Sequence, residues 1–286
     1  MKRCDICIEE TCNGKFNCNC DRCENLSKCY RILHPTIRLT TKCTQKCSHC
    51  CFKCSPDGTR MMDMDTAAVL ADFINNNEII SANIMGGEFF LNPNWYEILM
   101  LISANLINMR LVTTGDWIHD EEVCKKLIQL NDTRKGALWV AVSKDQWHTN
   151  KNVEETEQFL EKNGFSYYIG TEAEDNEDAI VPIGRAEGTY GFLSLYGCYC
   201  HEPKNMYGFL INESGTIYKC GFGVWNYADI HTYREGGFAK RFKEFNKQFY
   251  KIFLPSCTAC IRSAEKRNRT DLQEESKQKE IKDNEE

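Results

Sequence analysis

The stretch Thr36-Ile37-Arg38-Leu39-Thr40-Thr41-Lys42-Cys43-Thr44-Gln45-Lys46-Cys47-Ser48-His49-Cys50 runs from a β-rich segment into three cysteines at C-x3-C-x2-C spacing. Residues 36–41 are predicted to form a strand, and the cysteines then occupy the loop that leaves it. Three thiolates at this spacing suit an iron-sulfur cubane. Such clusters commonly take four cysteines, so a trio leaves one iron open to bind and activate a small molecule. A zinc knuckle is the competing reading, with Cys51 or Cys54 as the fourth ligand, because sulfur-rich tetrahedral sites hold zinc well.

Beyond the loop, short β-rich runs alternate with longer amphipathic ones, the pattern of repeated βα units. Strands are expected at 36–41, 79–85, 108–114, 137–143, 166–170 and 179–183, and helices at 65–75, 94–104, 120–130 and 153–163. Asn163-Gly164 closes the last of these helices as a C-terminal glycine does. This alternation demands a parallel sheet with right-handed crossovers, and active residues collect at the carboxyl ends of its strands.

C-x3-C-x2-C with an imidazole, His49, just before the last cysteine resembles the signature of the radical S-adenosylmethionine (SAM) enzymes. The resemblance implies Cys43, Cys47 and Cys50 as ligands of a 4Fe-4S cluster and as the catalytic centre, with SAM chelating the fourth iron. One electron would pass to the sulfonium, and the released 5'-deoxyadenosyl radical would abstract a substrate hydrogen. Three further segments fit the same family. Met85-Gly86-Gly87-Glu88-Phe89 resembles its GGEP motif, which lines the SAM methionyl group, with phenylalanine replacing proline. Leu111-Val112-Thr113-Thr114-Gly115 resembles a strand ending in Thr-Asn-Gly, with Thr114 in place of asparagine. Val181-Pro182-Ile183-Gly184-Arg185-Ala186 resembles a Pro-x-Gly-Arg-Ala segment near the adenosine, where Arg185 would bind a carboxylate or ribose hydroxyl. Ser143 ends the fourth predicted strand, where the family places a polar SAM contact. The implied cofactor-binding set is therefore His49, Gly86, Gly87, Glu88, Thr114, Ser143 and Arg185. Asp145, Trp147 and His148 lie just beyond Ser143, at the substrate mouth, where His148 reads as a satisfied loop histidine.

A second constellation begins at Cys198 and Cys200, continues through Gly215 and Cys220, and ends at Cys257-Thr258-Ala259-Cys260. It resembles the twitch or SPASM extension that carries an auxiliary iron-sulfur cluster. Cys220, Cys257 and Cys260 would share the cluster with Cys198 or Cys200, and a zinc ribbon is the alternative. Asn212-Glu213-Ser214-Gly215 is a hairpin turn between strands expected at 207–211 and 216–219. The N-terminal cysteines, Cys4, Cys7, Cys20 and Cys23 among them, have no apolar core around them, so that segment needs a metal to fold. Zinc is the first expectation and an iron-sulfur cluster the second, and the segment is read as a metal-stapled cap.

The expected fold class is α/β: a partial (β/α)6 TIM-like barrel over 36–190, preceded by a Cys-rich metal-binding segment at 1–35. A small twitch/SPASM-like auxiliary-cluster domain follows at 191–262, then a charged, disordered tail at 263–286. Phenylalanines at 238, 242, 245, 249 and 253 form one helical stripe, with lysines 240, 243, 247 and 251 on a neighbouring solvated face.

The 286 residues carry a formal net charge of -6 with no basic stripe, which argues against a nucleic-acid partner. No apolar stretch approaches the length of a membrane span, and Met1-Lys2-Arg3-Cys4-Asp5 has no apolar h-region, so the cytoplasm is the expected compartment. There, 18 cysteines point to metal ligation rather than disulfides. The expected activity is SAM cleavage coupled to hydrogen abstraction from a ribosomally made peptide, with flavodoxin or ferredoxin as low-potential electron donor. A small-metabolite substrate and a zinc-stapled, non-catalytic scaffold are the alternatives.

Overall fold

The computed structural model describes residues 32–134, 136–170, 184–186, 206–219, 226–242 and 244–245. Five parallel strands, β1 (Ile32–Arg38), β2 (Ser81–Met85), β3 (Asn108–Thr113), β4 (Ala137–Val142) and β5 (Ser166–Ile169), alternate with four helices. The helices are α1 (Met64–Asn76), α2 (Trp95–Ser103), α3 (Glu121–Thr133) and α4 (Val153–Lys162). Spatial order follows chain order from β1 to β5 without reversal. Every crossover therefore runs the same way, which builds an open arc of a barrel rather than a doubly wound sheet.

Aspartate side chains cap the starts of α1 and α3. Asp63 accepts the Thr66 amide at the head of α1, and Asp120 accepts the Glu122 and Val123 amides at the head of α3. The apolar stripes Leu70, Phe73 and Ile74 of α1, Ile98, Leu99 and Ile102 of α2, and Leu127 and Leu130 of α3 are fully buried. They cover one face of the sheet, with Ile37, Ile84, Leu111 and Val140 in the same core. The strand pleat turns the intervening residues to the opposite face. There the register sets Thr36, Asn83, Arg110 and Trp139 side by side across β1 to β4.

β1 begins four residues earlier than expected, and it includes Pro35. β2 pairs only from Thr36 onward, while a later strand at Met206–Ile211 pairs along residues 32–37, so Pro35 has a hydrogen-bonded neighbour on one side alone. At its other end β1 stops at Arg38, short of the expected Thr41, because Thr40 and Thr41 turn away to bond the 60–61 segment. The sixth expected strand, 179–183, lies outside the described residues.

β6 (Met206–Ile211) and β7 (Thr216–Tyr218) form the expected hairpin, followed by β8 (Asn226–Asp229). β6 runs parallel to β1 on the side away from β2, so the hairpin extends the barrel sheet across the expected border near residue 190. Phe238 and Phe242 are fully buried against Phe209 of β6, which seats the aromatic stripe on this extension. Lys240 on the neighbouring face is exposed. Residues 1–31, 187–205 and 246–286, with the expected N-terminal segment and charged tail, lie outside the described residues. Among the described residues no helix is long and apolar enough to cross a membrane.

Candidate cofactor site

At the carboxyl end of β1 the cysteine loop is pinned at both shoulders. The Cys43 amide donates to the Ser55 carbonyl at 2.9 Å, Ser55 to Thr41 at 3.2 Å, and Thr41 to Arg60 at 2.9 Å. Within the loop the Cys50 amide closes a turn onto the Cys47 carbonyl at 3.2 Å. This folding brings Cys43, Cys47 and Cys50 within electrostatic reach of one another. As metal-free thiols they answer to burial: it pushes Cys43 up to about 11 and Cys47 up to about 12. Cys50 is lowered to about 6, chiefly by its hydrogen bond with the Cys54 thiol, which is itself pushed up by that bond and by burial. A bound metal would overturn this order, since a coordinating thiol is deprotonated outright.

The Gly86-Gly87 turn after β2 lies directly on this loop. Gly87 has φ +49°, and a Cβ there would sit 1.9 Å from the Lys42 carbonyl oxygen. Only a glycine lets the backbone come this close. The approach delivers the Gly87 amide to Cys54 Sγ at 3.2 Å and the Glu88 amide to the Lys42 carbonyl at 2.9 Å. Gly86 packs in the same way on the Arg38 side chain. Phe89, in the place of the usual proline, is fully buried beside Phe90 and Trp95.

Glu88 is 1% exposed. Its Oε2 accepts three hydrogen bonds at 2.8 Å, from the Thr113 hydroxyl, the Thr114 amide and the Thr114 hydroxyl. Its Oε1 is buried and has no partner among the described residues. Burial pushes this carboxyl up to about 7 against the pull of those donors. A carboxylate so placed is complete on one oxygen and waiting on the other.

Polar side chains from the next two strand ends tie the arrangement together. Gln45, in the cysteine loop, donates to Asp116 at 3.1 Å and accepts the Thr149 amide at 2.9 Å. Thr44 donates to the same Asp116 oxygen at 2.5 Å. Asn150 donates to the carbonyls of Thr114 at 2.5 Å and Ser143 at 2.9 Å, bridging the ends of β3 and β4. Ser143 is half-buried at the end of β4, its amide on the Thr113 carbonyl. The half-buried His49 ring lies 5.2 Å from Trp147 and 4.9 Å from His148, centroid to centroid.

Arg185 is placed differently from the expectation that it would bind a ligand group. Its Nε donates to the Cys47 carbonyl at 2.8 Å, an Nη to the Cys54 carbonyl at 2.6 Å, and its amide to the Cys50 carbonyl at 3.1 Å. These bonds clamp the cysteine loop. Thus Cys43, Cys47, Cys50, His49, Gly86, Gly87, Glu88, Thr114, Ser143 and Arg185 gather at one end of the arc. Cys4, Cys7, Cys20, Cys23, Cys198, Cys200, Cys220, Cys257 and Cys260 lie outside the described residues. Sequence reading missed Gln45, Asp116 and Asn150, whose partners stand up to 104 positions away and leave no local signal. It weighed Cys54 only as a zinc ligand.

Residues 37–145 match the family model described as Radical SAM superfamily. The subtilosin biosynthesis protein AlbA of Bacillus subtilis (strain 168) is 29% identical over 113 residues, 40% of this chain and 24% of AlbA. The chain thus spans about a quarter of that curated relative's length. Among solved structures, BtrN in complex with AdoMet and 2-DOIA superposes with a TM-score of 0.53 at 13% identity, over 80% of this chain and 91% of BtrN. Native anSMEcpe with bound AdoMet superposes at 0.50 and 15% identity, over 79% and 88%. These likenesses show the fold, and the stretch from 37 to 145 is similar in sequence to the Radical SAM superfamily model.

Proposed function

We propose that the chain is a radical SAM enzyme, with Cys43, Cys47 and Cys50 holding a 4Fe-4S cluster and Glu88 receiving the SAM ammonium. The observation that carries this reading is Glu88 Oε1, a buried acceptor with no partner among the described residues, beside three mutually close thiols. When bound, the cluster and SAM supply reductive cleavage to a 5'-deoxyadenosyl radical that takes a substrate hydrogen. The chain's own residues hold and aim these groups. Gly87 keeps the backbone against the cysteine loop, Thr113 and Thr114 fix the Glu88 carboxylate, and Arg185 and Gln45 brace the loop. His49 and Ser143 border the same space as further SAM contacts.

A ribosomally made peptide is the proposed substrate, supported by the similarity to a bacteriocin biosynthesis protein. We assign an auxiliary iron-sulfur cluster to Cys220, Cys257 and Cys260 with Cys198 or Cys200, zinc to the N-terminal cysteines, and a flavodoxin or ferredoxin as electron donor. Support for the auxiliary site is the β6–β7 hairpin, which ends at Tyr218, two residues before Cys220 in the sequence.

The test is mass spectrometry for 5'-deoxyadenosine after anaerobic reduction with SAM, first alone and then with candidate precursor peptides. The expected result is 5'-deoxyadenosine from the unmodified protein, none from Cys47→Ala, and a mass change on the peptide. Zinc as the only metal in anaerobically purified protein would overturn the enzyme reading. A small metabolite consumed in place of any peptide would overturn the substrate alone.

A further inference from the structure

We propose that His49, Asp145 and His148 form a binding site for a divalent first-row transition metal, separate from the cysteine trio, at the mouth of the arc. One ligand atom from each residue lies within 4.8 Å of the other two. Two imidazoles and one carboxylate, with positions left open, suit an iron(II)-like ion rather than the soft ions that thiolates select.

Two buried atoms argue that the group is incomplete as it stands. The Asp145 side chain is fully buried, yet its Oδ2 has no hydrogen-bond partner among the described residues. His49 Nδ1 is likewise buried and unpartnered. A buried carboxylate oxygen and a buried ring nitrogen that both lack partners are costly, and a cation held by this cluster would offset that cost.

The rest of the cluster is already oriented. Asp145 Oδ1 accepts the amides of Trp147 at 2.9 Å and His148 at 3.0 Å, and meets His148 Nδ1 at 2.8 Å. Burial alone would raise the Asp145 carboxyl, but the His148 and amide bonds win and hold it near 2, so it is an anion. His49 Nδ1, buried and without a hydrogen-bond partner among the described residues, offers a ring nitrogen to a metal. A metal takes that nitrogen's lone pair in the ring plane, so the imidazole faces stay available to a nucleoside. Open positions on the ion would accept a carboxylate or hydroxyl oxygen from a substrate at the mouth.

Manganese(II) is the probe, because nitrogen and oxygen donors accept it and thiolate sites discriminate against it. Full-length protein with its iron-sulfur centres in the oxidised, EPR-silent state is treated with chelator and titrated with manganese(II). The signal of the free ion counts what is bound. One saturable site is expected, lost in Asp145→Asn and His148→Ala with iron content and far-ultraviolet circular dichroism retained. One equivalent of zinc(II) should displace the manganese. The exposed Asp229–His231 pair supplies the control: it has the same ligand types but stands at the surface, and Asp229→Asn should leave the site intact. Should a variant fail to fold, electron-nuclear double resonance on the unmodified protein decides. Two histidine nitrogens coupled to manganese(II) support the site, and none overturns it. No saturable binding, or binding unchanged in both variants, also overturns it.

Discussion

Glu88 and Thr114 face each other across the ends of β2 and β3, and Thr114 gives the same carboxylate oxygen both its amide and its hydroxyl at 2.8 Å. Where the motif it resembles carries asparagine, this chain carries a residue whose short side chain turns back to the glutamate. The carboxylate is thereby fixed with one oxygen spent and the other, Oε1, unpartnered among the described residues.

Glu88→Gln keeps the shape and removes the charge, so it should weaken SAM binding by about 10- to 100-fold, the worth of a charge-assisted hydrogen bond of about 1.5–3 kcal/mol. The pH dependence follows from the carboxyl's rise from 4.5 to about 7. Below 7 the free protein holds a proton that a cationic ligand must expel, so affinity should climb with pH by up to about tenfold per unit and level off above 7. The same shift costs the ligand-free fold stability as pH rises from 4.5 through 7. Calorimetric titration of SAM across this range should show proton release in the unmodified protein and none in Glu88→Gln.

Cys54 separates the cluster reading from the zinc knuckle. Its Sγ accepts the Gly87 amide and shares a hydrogen bond with Cys50, so it is already employed within the fold. Cys54→Ala should retain cluster iron and 5'-deoxyadenosine formation, whereas Cys47→Ala should lose both. Iron, sulfide and zinc analysis of the two variants checks this. A Cys54→Ala protein that loses its loop metal while the unmodified protein holds zinc would favour the tetrahedral alternative.

The barrel was legible because its signal is periodic: four helices fall within three residues of their expected bounds at every end. The site's cysteines and Gly86-Gly87-Glu88 were legible because their spacing is local. Pro35 hid the start of β1, since its tolerance depends on which neighbour pairs where. Arg185 was located but its partners were not, because hydrogen bonds to carbonyls 131 and 138 positions away have no trace in sequence. The extension of the barrel sheet by β6 was hidden for the same reason: a parallel pairing with β1 across about 170 residues is a property of the closed fold.

Arg185 is expected to act through the loop it clamps. Arg185→Ala removes two donors from loop carbonyls, each worth about 1.5–3 kcal/mol when the donor is charged. The cysteine trio should then hold its cluster loosely, seen as lower iron content after reconstitution and faster iron loss to a chelator. Lysine should rescue little, because a single ammonium on a flexible stem does not reproduce the planar fork. If Arg185→Ala retained iron normally and lost only SAM affinity, the arginine would instead be the ligand contact that the sequence first suggested.

Arg38 and Glu213 join the barrel to the hairpin. Arg38, the last residue of β1, places its Nε 2.7 Å from Glu213 Oε2 in the β6–β7 turn, with side chains 8% and 1% exposed. The Arg38 methylenes carry Gly86, and its guanidinium lies 5.1 Å from the Phe52 ring centroid, so the pair also underlies the cysteine loop. Arg60 pairs with the other Glu213 oxygen at 3.0 Å, but its side chain is 61% exposed. Removing one partner of a buried pair leaves an uncompensated charge, and Glu213→Ala should therefore cost about 3–5 kcal/mol. Arg60→Ala should cost at most about 1 kcal/mol, as expected of an exposed partner. Replacing Arg38 and Glu213 together with methionine and leucine should recover much of the loss. Urea denaturation of the four proteins orders these effects. A Glu213→Ala midpoint no lower than that of Arg60→Ala would show that the hairpin is held by β6 pairing and the Phe209, Phe238 and Phe242 cluster alone.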